Sequence, residues 1–397
     1  MRILLTSESY LPYLSGVTVS VDALARGLGA RGHEVMVLAP RPAGSTAVEE
    51  AGSPGPEPRY AWLSSYQLAR VAPLAYRMPL PNPADPAMAE ARRFGAEIVH
   101  AHSPFVTGLL ARRLARVARR PLVFTHHTRF ADYGHYLGPL ARPGLFLMRA
   151  YLRRFWLSCA AIVAPSTELG EEIRGRLPGH ARRRVVVIPS GIDVEGIRRL
   201  RPADPRPAAG WAPDTVVAAS LGRLASEKSP LDILNAFGMA VGRRRDLRLI
   251  FIGGGPLEAD LRRRAQAPTL EGRVHFTGGI PRTQALATLA AADFFVFASQ
   301  TETQGLVLAE ALAAGVPALA VDGPGVRDSV RDGIDGRVLP AAPAETRTAR
   351  LAEAMERLAA DGPQRASMAQ RARDEAGRFA LEHRVEQVES LYRAIAH

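Results

Sequence analysis

Residues 294–321 read FFVFASQTETQGLVLAEALAAGVPALAV. Phe294 to Ala298 is an unbroken apolar run, the pattern of a parallel strand buried on both faces. Ser299 to Gly305 is polar and ends on glycine, which marks a turn. From Leu306 the chain is rich in Ala and Leu, so a helix is expected as far as Gly315, where Gly315-Val316-Pro317 stops it. Ala318–Val321 then opens another apolar strand. Strand, turn, helix and strand in this order make a parallel βαβ unit, and the fold is α/β.

The same alternation runs outward in both directions. Strands are expected at Arg2–Thr6, Glu34–Ala39, Glu97–His100, Leu122–Thr125, Ala161–Ala164 and Val185–Ile188. Further on they are expected at Val216–Leu221, Leu247–Ile252 and Val274–Thr277. Each half reads as a doubly wound, Rossmann-like domain. A chain of 397 residues exceeds the length at which one core stops growing, so two domains are expected. We place them at 1–198 and 199–375, the boundary falling at the proline-rich stretch Leu200–Pro213, with a C-terminal helix, 376–397, packing back toward the first domain. Arg41–Arg59 reads as a long loop. Helical segments from about Thr346 to Ile395 break near Gly362-Pro363.

A single cysteine, Cys159, excludes an intramolecular disulfide and suits a reducing compartment. Met1–Thr6 enters a strand directly, so no targeting segment is expected. No apolar run approaches the ~20 residues of a membrane span. The expected location is cytoplasmic, with peripheral attachment to a membrane. Net charge is +12, unevenly spread. Residues 1–200 hold 26 Arg against 15 Asp and Glu, whereas residues 201–397 are nearly neutral. A basic half points to a polyanionic partner.

The turn before the 306–315 helix carries the chemistry. Backbone N–H groups of Gly305 and Leu306 would face an anion. Glu302 lies in that turn and Glu310 in an otherwise apolar helical segment. A buried carboxylate must accept hydrogen bonds, and sugar hydroxyls are suitable donors. The alternative is an exposed Glu310 and a Glu302 that only complements the helix dipole. The second signal is Lys228, the only lysine among 51 basic residues. It follows Gly222-Arg223-Leu224-Ala225-Ser226-Glu227, just after a strand. An ammonium is a compact charge with three donors, unlike the planar guanidinium fork, and suits phosphate oxygens. In the first half, residues 124–136 follow a strand and hold three His, two Tyr and an Asp, more polar than a core turn needs.

Together these motifs resemble glycosyltransferase family 4. Glu302 and Glu310, in the setting Thr-Glu-Thr-Gln-Gly-Leu and Ala-Glu-Ala-Leu-Ala-Ala-Gly-Val-Pro, resemble its paired-glutamate signature. Arg223 with Lys228 resembles its pair on the donor diphosphate. Gly253-Gly254-Gly255-Pro256 and Gly16 resemble its glycine turns, and Ser190-Gly191-Ile192-Asp193 resembles the family's Asn-Gly-Ile-Asp, with Ser in place of Asn. Ser229 likewise replaces a common Gly. The resemblance implies the GT-B fold, two Rossmann-like domains facing each other across a cleft, and a retaining reaction. It implies a nucleotide-diphosphate sugar donor held by Gly16, Arg223, Lys228, Gly254, Gly305, Leu306 and Glu310, with Glu302 on the transferred sugar. No Asp-x-Asp occurs, and no cofactor or metal is expected. Residues 124–136 and His100-Ala101-His102-Ser103-Pro104-Phe105 resemble the subgroup that glucosylates diacylglycerol. On that match His127 aligns with the histidine near the donor sugar. His126, Asp132, Tyr133, His135 and Tyr136 are then acceptor residues, His126 being the alternative to His127. Zinc lacks a cysteine and a clear third ligand here.

Residues 111–156 hold ten Arg and one acidic residue, Asp132. Arg112, Arg116, Arg119 and Arg120 fall on one helical stripe, and Arg149, Arg153 and Trp156 lie in a second arginine-aromatic segment. Such segments suit an anionic bilayer; the plain alternative is exposed arginine in an arginine-rich chain. Aromatic interleaving is too thin for nucleic acid. The expected function is retaining transfer of a hexose, UDP-glucose being the expected donor, to a membrane lipid of the diacylglycerol class. Alternatives are a family 4 hexosyl- or N-acetylhexosaminyltransferase with a soluble or other lipid-linked acceptor, and a nucleotide-sugar epimerase.

Overall fold

The computed structural model describes residues 1–13, 15–42, 55–67, 77–129 and 141–396. It divides into two compact units, Met1–Asp193 with Ala380–His397, and Val194–Phe379.

The first unit runs β1 (Arg2–Thr6), α1 (Gly16–Ala30), β2 (Glu34–Pro40), β3 (Arg59–Leu63), β4 (Ser65–Gln67), β5 (Arg77–Pro79), α2 (Pro86–Phe94) and β6 (Ile98–Ala101). It continues through α3 (Val106–Ala118), β7 (Leu122–Thr125), α4 (Ala141–Leu157), β8 (Ala161–Ala164), α5 (Thr167–Arg176), α6 (Gly179–Arg182) and β9 (Val185–Val187). Seven strands form a parallel sheet in the order β3-β2-β1-β6-β7-β8-β9, and β4 with β5 makes a small antiparallel pair.

The second unit runs α7 (Val194–Arg199), β10 (Val216–Leu221), α8 (Pro230–Val241), β11 (Leu247–Ile252), α9 (Glu258–Arg264), β12 (Val274–Phe276), α10 (Arg282–Ala290) and β13 (Phe294–Phe297). Then come α11 (Leu306–Ala313), β14 (Ala318–Val321), α12 (Val326–Ser329), β15 (Gly336–Leu339), α13 (Ala344–Ala360) and α14 (Gly362–Glu375). Its six strands are parallel in the order β12-β11-β10-β13-β14-β15. The chain re-enters the first unit through α15 (Leu381–Ile395). A bridge between Ile192 and Ala380 and the bond from Leu381 N to Ile192 O (3.0 Å) mark that return.

The central strands are buried on both faces because their residues are apolar without alternation. Residues 294–297 are all buried, and Ile3, Leu5, Val37 and Val123 have no exposed surface. In both units the order of strands reverses beside the first one, between β1 and β6 and between β10 and β13. Open α/β sheets bind ligands beyond the strand C-termini at such a switch point. The loops that leave β10 and β13 carry Lys228 and Glu302; those that leave β1 and β6 carry Gly16 and His102.

Two edge strands, β3 and β15, had no expectation in the sequence. Arg59-Tyr60-Ala61-Trp62-Leu63 mixes polar and apolar residues, as an edge strand can. β15 begins on glycine and carries an exposed arginine. The proline-rich stretch at 200–213 is fastened to the second unit, and the division of the chain falls at Asp193. Arg206 reaches Asp293 at 2.7 Å and the Thr215 carbonyl at 3.0 Å, and buried Trp211 donates to the Gly272 carbonyl at 2.8 Å. α15 lies on α1, and its Tyr392 is wholly buried.

Candidate active site

In the second unit, two loops meet at the switch point. The loop after β10 passes Gly222 and Arg223 and turns through a short 3-10 segment, Ser226–Lys228. The loop after β13 runs from Ser299 to Gly305. Ser299 and Thr301 hydroxyls both donate to the Glu227 carbonyl, at 2.8 and 3.2 Å, and tie the loops together. Lys228 Nζ is thereby set against Glu302 Oε1 in an ion pair. Burial of the ammonium, opposed by nearby Glu227, pushes the Lys228 pKa down to about 8. Arg223 is exposed, its guanidinium 4.0 Å from Glu227.

Gly305 caps α11 in the left-handed conformation, φ 71°, which a side chain rarely adopts. No side chain caps that helix, so its first amides stay available for an anion beside Lys228. Leu306 is the first residue of α11. Glu310 lies one turn further and is 4% exposed. This excludes the alternative of a solvated surface glutamate. Its carboxylate is paired with Arg282 at the start of α10. Arg282 had no signal in the sequence, being one arginine among fifty, and it satisfies the charge that burial of Glu310 demands.

Gly254 sits in the turn after β11. Its carbonyl accepts from Leu224 N at 3.0 Å. Neighbouring Gly253 has φ 121°, and a Cβ there would lie 2.3 Å from the Gly222 carbonyl. The glycine turn thus braces the Lys228 loop by close backbone approach.

In the first unit, Gly16 is the exposed first residue of α1, and Ser15 caps that helix in a reciprocal capping box with Thr18. Glu8, in the loop after β1, accepts from the amides of Val106 and Thr107 at 3.3 and 3.1 Å and caps α3. The loops after β1 and β6 are joined by that cap.

His126 and His127 follow β7 and part company. His126 is 4% exposed and packs edge-on against Trp156 and Phe124, ring centroids 5.4 and 5.5 Å away. Burial pushes its pKa down to about 3. An imidazole held in an aromatic core cannot meet an acceptor, so its assignment as an acceptor residue is corrected. His127 is half-buried, with Nε2 2.8 Å from Nδ1 of His102, and burial lowers it to about 4. Asp132, Tyr133, His135 and Tyr136 lie outside the described residues.

The arginine segments also divide. α3 ends at Ala118, and Arg119 closes it in the left-handed conformation, φ 52°. Arg119 and Arg120 are therefore exposed beyond the helix, not on a stripe with Arg112 and Arg116; Arg116 is exposed and Arg112 half-buried. On α4, Arg149 and Arg153 are exposed. Trp156 is 2% exposed inside the core with Phe155 and Leu152, so it cannot touch a membrane. The large apolar residues that α4 exposes most are Phe146 and Leu147, at 71% and 67%, with Leu157 at its end exposed at 37%. Among the described residues, no group of three His, Cys, Asp or Glu could hold a metal ion, and no helix is long and apolar enough to cross a membrane.

Residues 14–195 match the model of Glycosyltransferase Family 4, and residues 204–375 match that of Glycosyl transferases group 1. An alpha-monoglucosyldiacylglycerol synthase of Streptococcus pneumoniae is 29% identical over 85% of this chain and 74% of its own length. A GDP-mannose-dependent alpha-mannosyltransferase of Corynebacterium glutamicum is 28% identical over 85% of this chain and 76% of its own length. The crystal structure of Anabaena HepE in complex with UDP and glucose superposes with a TM-score of 0.73 at 18% identity, over 99% of this chain and 100% of that one.

Proposed function

The chain belongs to the glycosyltransferases of the GT-B fold, and on that premise we propose that it transfers glucose, with retention of configuration, from UDP-glucose to a diacylglycerol-type lipid at an anionic membrane surface. The observation that carries the donor half is the set of Lys228, Glu302 and Glu310 around the uncapped start of α11. As the glycosidic bond breaks, charge gathers on the leaving diphosphate. Lys228, Arg223 and the amides of Gly305 and Leu306 supply positive charge where that negative charge develops. The diphosphate competes with Glu302 for the ammonium. Glu302, released, accepts from hydroxyls of the transferred sugar. Glu310, steadied by Arg282, accepts from the ribose hydroxyls. The resemblance aligns His127 with the histidine near the donor sugar. The residues themselves supply the charge, so turnover needs no metal.

The acceptor half rests on the exposed Phe146 and Leu147 beside Arg149 and Arg153 on α4. Apolar side chains ringed by arginine suit the boundary between headgroups and acyl chains. The likeness to a monoglucosyldiacylglycerol synthase supports the same acceptor. A second reading, mannose from a GDP-sugar, is favoured by the similar identity to the mannosyltransferase.

The test is a matrix of nucleotide sugars against lipid and soluble acceptors, with products identified by mass spectrometry and anomeric configuration by NMR. A glucosylated diacylglycerol with an α linkage is the expected product. A β linkage overturns retention, turnover only with GDP-mannose overturns the donor, and transfer only to soluble acceptors overturns the lipid.

A further inference from the structure

Glu302 and Lys228 are neighbours because their loops are tied. The Ser299 and Thr301 hydroxyls both donate to the Glu227 carbonyl, at 2.8 and 3.2 Å, one residue before Lys228. The Lys228 amide donates to the Ala225 carbonyl at 3.0 Å and closes the turn that carries the ammonium. Glu302 follows Thr301 directly, so the same tie brings its carboxylate to Nζ. Among the described residues, each is the one ion-pair partner of the other. Their side chains are 36% and 20% exposed, so the pair is partly dried and still open to a ligand. An anion that arrives at the start of α11 meets an ammonium already covered by a carboxylate. Glu310 differs. Its partner, Arg282, stands on α10, and its carboxylate is buried.

A partly buried carboxylate that loses its cation is left uncompensated unless the incoming ligand brings donors of its own. A bare nucleoside diphosphate takes the ammonium and gives Glu302 nothing in return. A sugar nucleotide takes the ammonium and offers hydroxyls, whose bonds to a carboxylate are charge-assisted and strong. We infer that Glu302 biases the donor site toward a sugar nucleotide and against the nucleoside diphosphate left when the sugar has gone. Once the sugar is transferred, Glu302 returns to Lys228 and favours departure of the diphosphate. Glu310 has no part in this choice, because the ribose proposed for it is present before and after transfer. The cover over Lys228 stands on geometry alone; the hydroxyls that compensate Glu302 belong to the function proposed above.

The test is isothermal titration calorimetry of the full chain with UDP-glucose, UDP and inorganic pyrophosphate. Glu302→Gln keeps the shape of the side chain and uncovers the ammonium. It is expected to tighten UDP and pyrophosphate at least ~10-fold, the scale of a close charge pair. UDP-glucose should tighten far less, so its affinity relative to UDP falls by a similar factor. Equal tightening of all three overturns the inference, since the loss of one negative charge favours every anion alike. Weaker or unchanged binding of UDP overturns it as well. A double-mutant cycle separates cover from field. With Lys228→Met in place, Glu302→Gln is expected to lose most of its gain for pyrophosphate; a gain as large as before overturns the cover. GDP-mannose and GDP repeat the comparison for the second donor. If wild-type protein binds neither sugar nucleotide, the proposed function fails, and the pyrophosphate cycle still decides whether Glu302 covers Lys228.

Discussion

At the scale of single residues, Lys228 was the most legible feature and Arg282 the least. A lone lysine in a chain of arginines announces itself, because an ammonium and a guanidinium differ in shape and are not interchangeable at a site that needs a point charge. Arg282 carries no such mark, and only the burial of Glu310 explains why an arginine must stand there. Ser299 and Thr301 were equally silent, since a hydroxyl that fixes a loop through a carbonyl looks like any turn residue. The lowered pKa of Lys228 gives a signed prediction. In the proposed function the protonated form binds the diphosphate, and the group loses its proton as pH rises through about 8. Donor kcat/KM is therefore expected to fall above about pH 8 in steady-state assays. Lys228→Arg keeps its charge throughout and should lose that alkaline limb, with a lower rate at every pH because the fork does not fit. Lys228→Ala should lower kcat at least ~10²-fold, the effect of removing one charge partner of a transition state. An arginine variant with full activity would mean that the lysine has no role. Glu310→Gln should behave differently. In the proposed function Glu310 holds the ribose, a contact made equally in ground and transition states, so donor KM should rise with kcat nearly unchanged.

At the scale of elements, the interior strands and the edge strands β9 and β12 were readable, and the edge strands β3 and β15 were not. β13 and β14 are apolar without interruption, and β10 and β11 are broken only by Ser220 and Arg248, because helices cover both faces. β3 and β15 have one free edge, and their sequences are free to mix. The end of α3 could not be read, since Arg119 adopts a left-handed cap that sequence reserves for glycine or asparagine. α4 posed a harder problem. Phe146, Leu147, Leu152, Phe155 and Trp156 are all apolar, and periodicity alone does not say which face is inward. The structure turns the last three into the core and leaves the first two to solvent. Two variants separate these faces. Trp156→Ala empties a core site and should cost about 3–5 kcal/mol in denaturant unfolding. Phe146→Ser with Leu147→Ser should leave the melting temperature near wild type and sharply weaken co-sedimentation with anionic vesicles. Loss of stability in the double variant, with vesicle binding intact, would show that α4 is not the docking face.

At the scale of the whole molecule, the charge is divided along the chain as the two chemistries are. The positive excess lies almost wholly in residues 1–200, which hold the sheet with His127 and the α4 face, while residues 201–397 are close to neutral. Arginine itself is nearly even, 26 in residues 1–200 and 24 in residues 201–397, and the difference comes from acidic residues, 15 against 24. Neutrality suits a site that must release a nucleotide diphosphate after each turnover, and a basic surface suits a partner that stays. Juxtamembrane basic residues contribute ~1 kcal/mol each near an anionic leaflet, an attraction screened within ~8 Å at physiological salt. Binding to anionic vesicles should therefore fall steeply as salt rises to about 0.5 M. Phe146 and Leu147 contribute a term that salt does not screen, so a residue of binding should survive in wild type and vanish in the serine double variant. Zwitterionic vesicles should hold little protein at any salt. Excess EDTA should leave both vesicle binding and turnover unchanged, since arginine, lysine and the α11 amides provide the charge that each requires. Salt-independent binding, or equal binding to zwitterionic vesicles, would remove electrostatics from the account and leave the basic half of the chain without a partner.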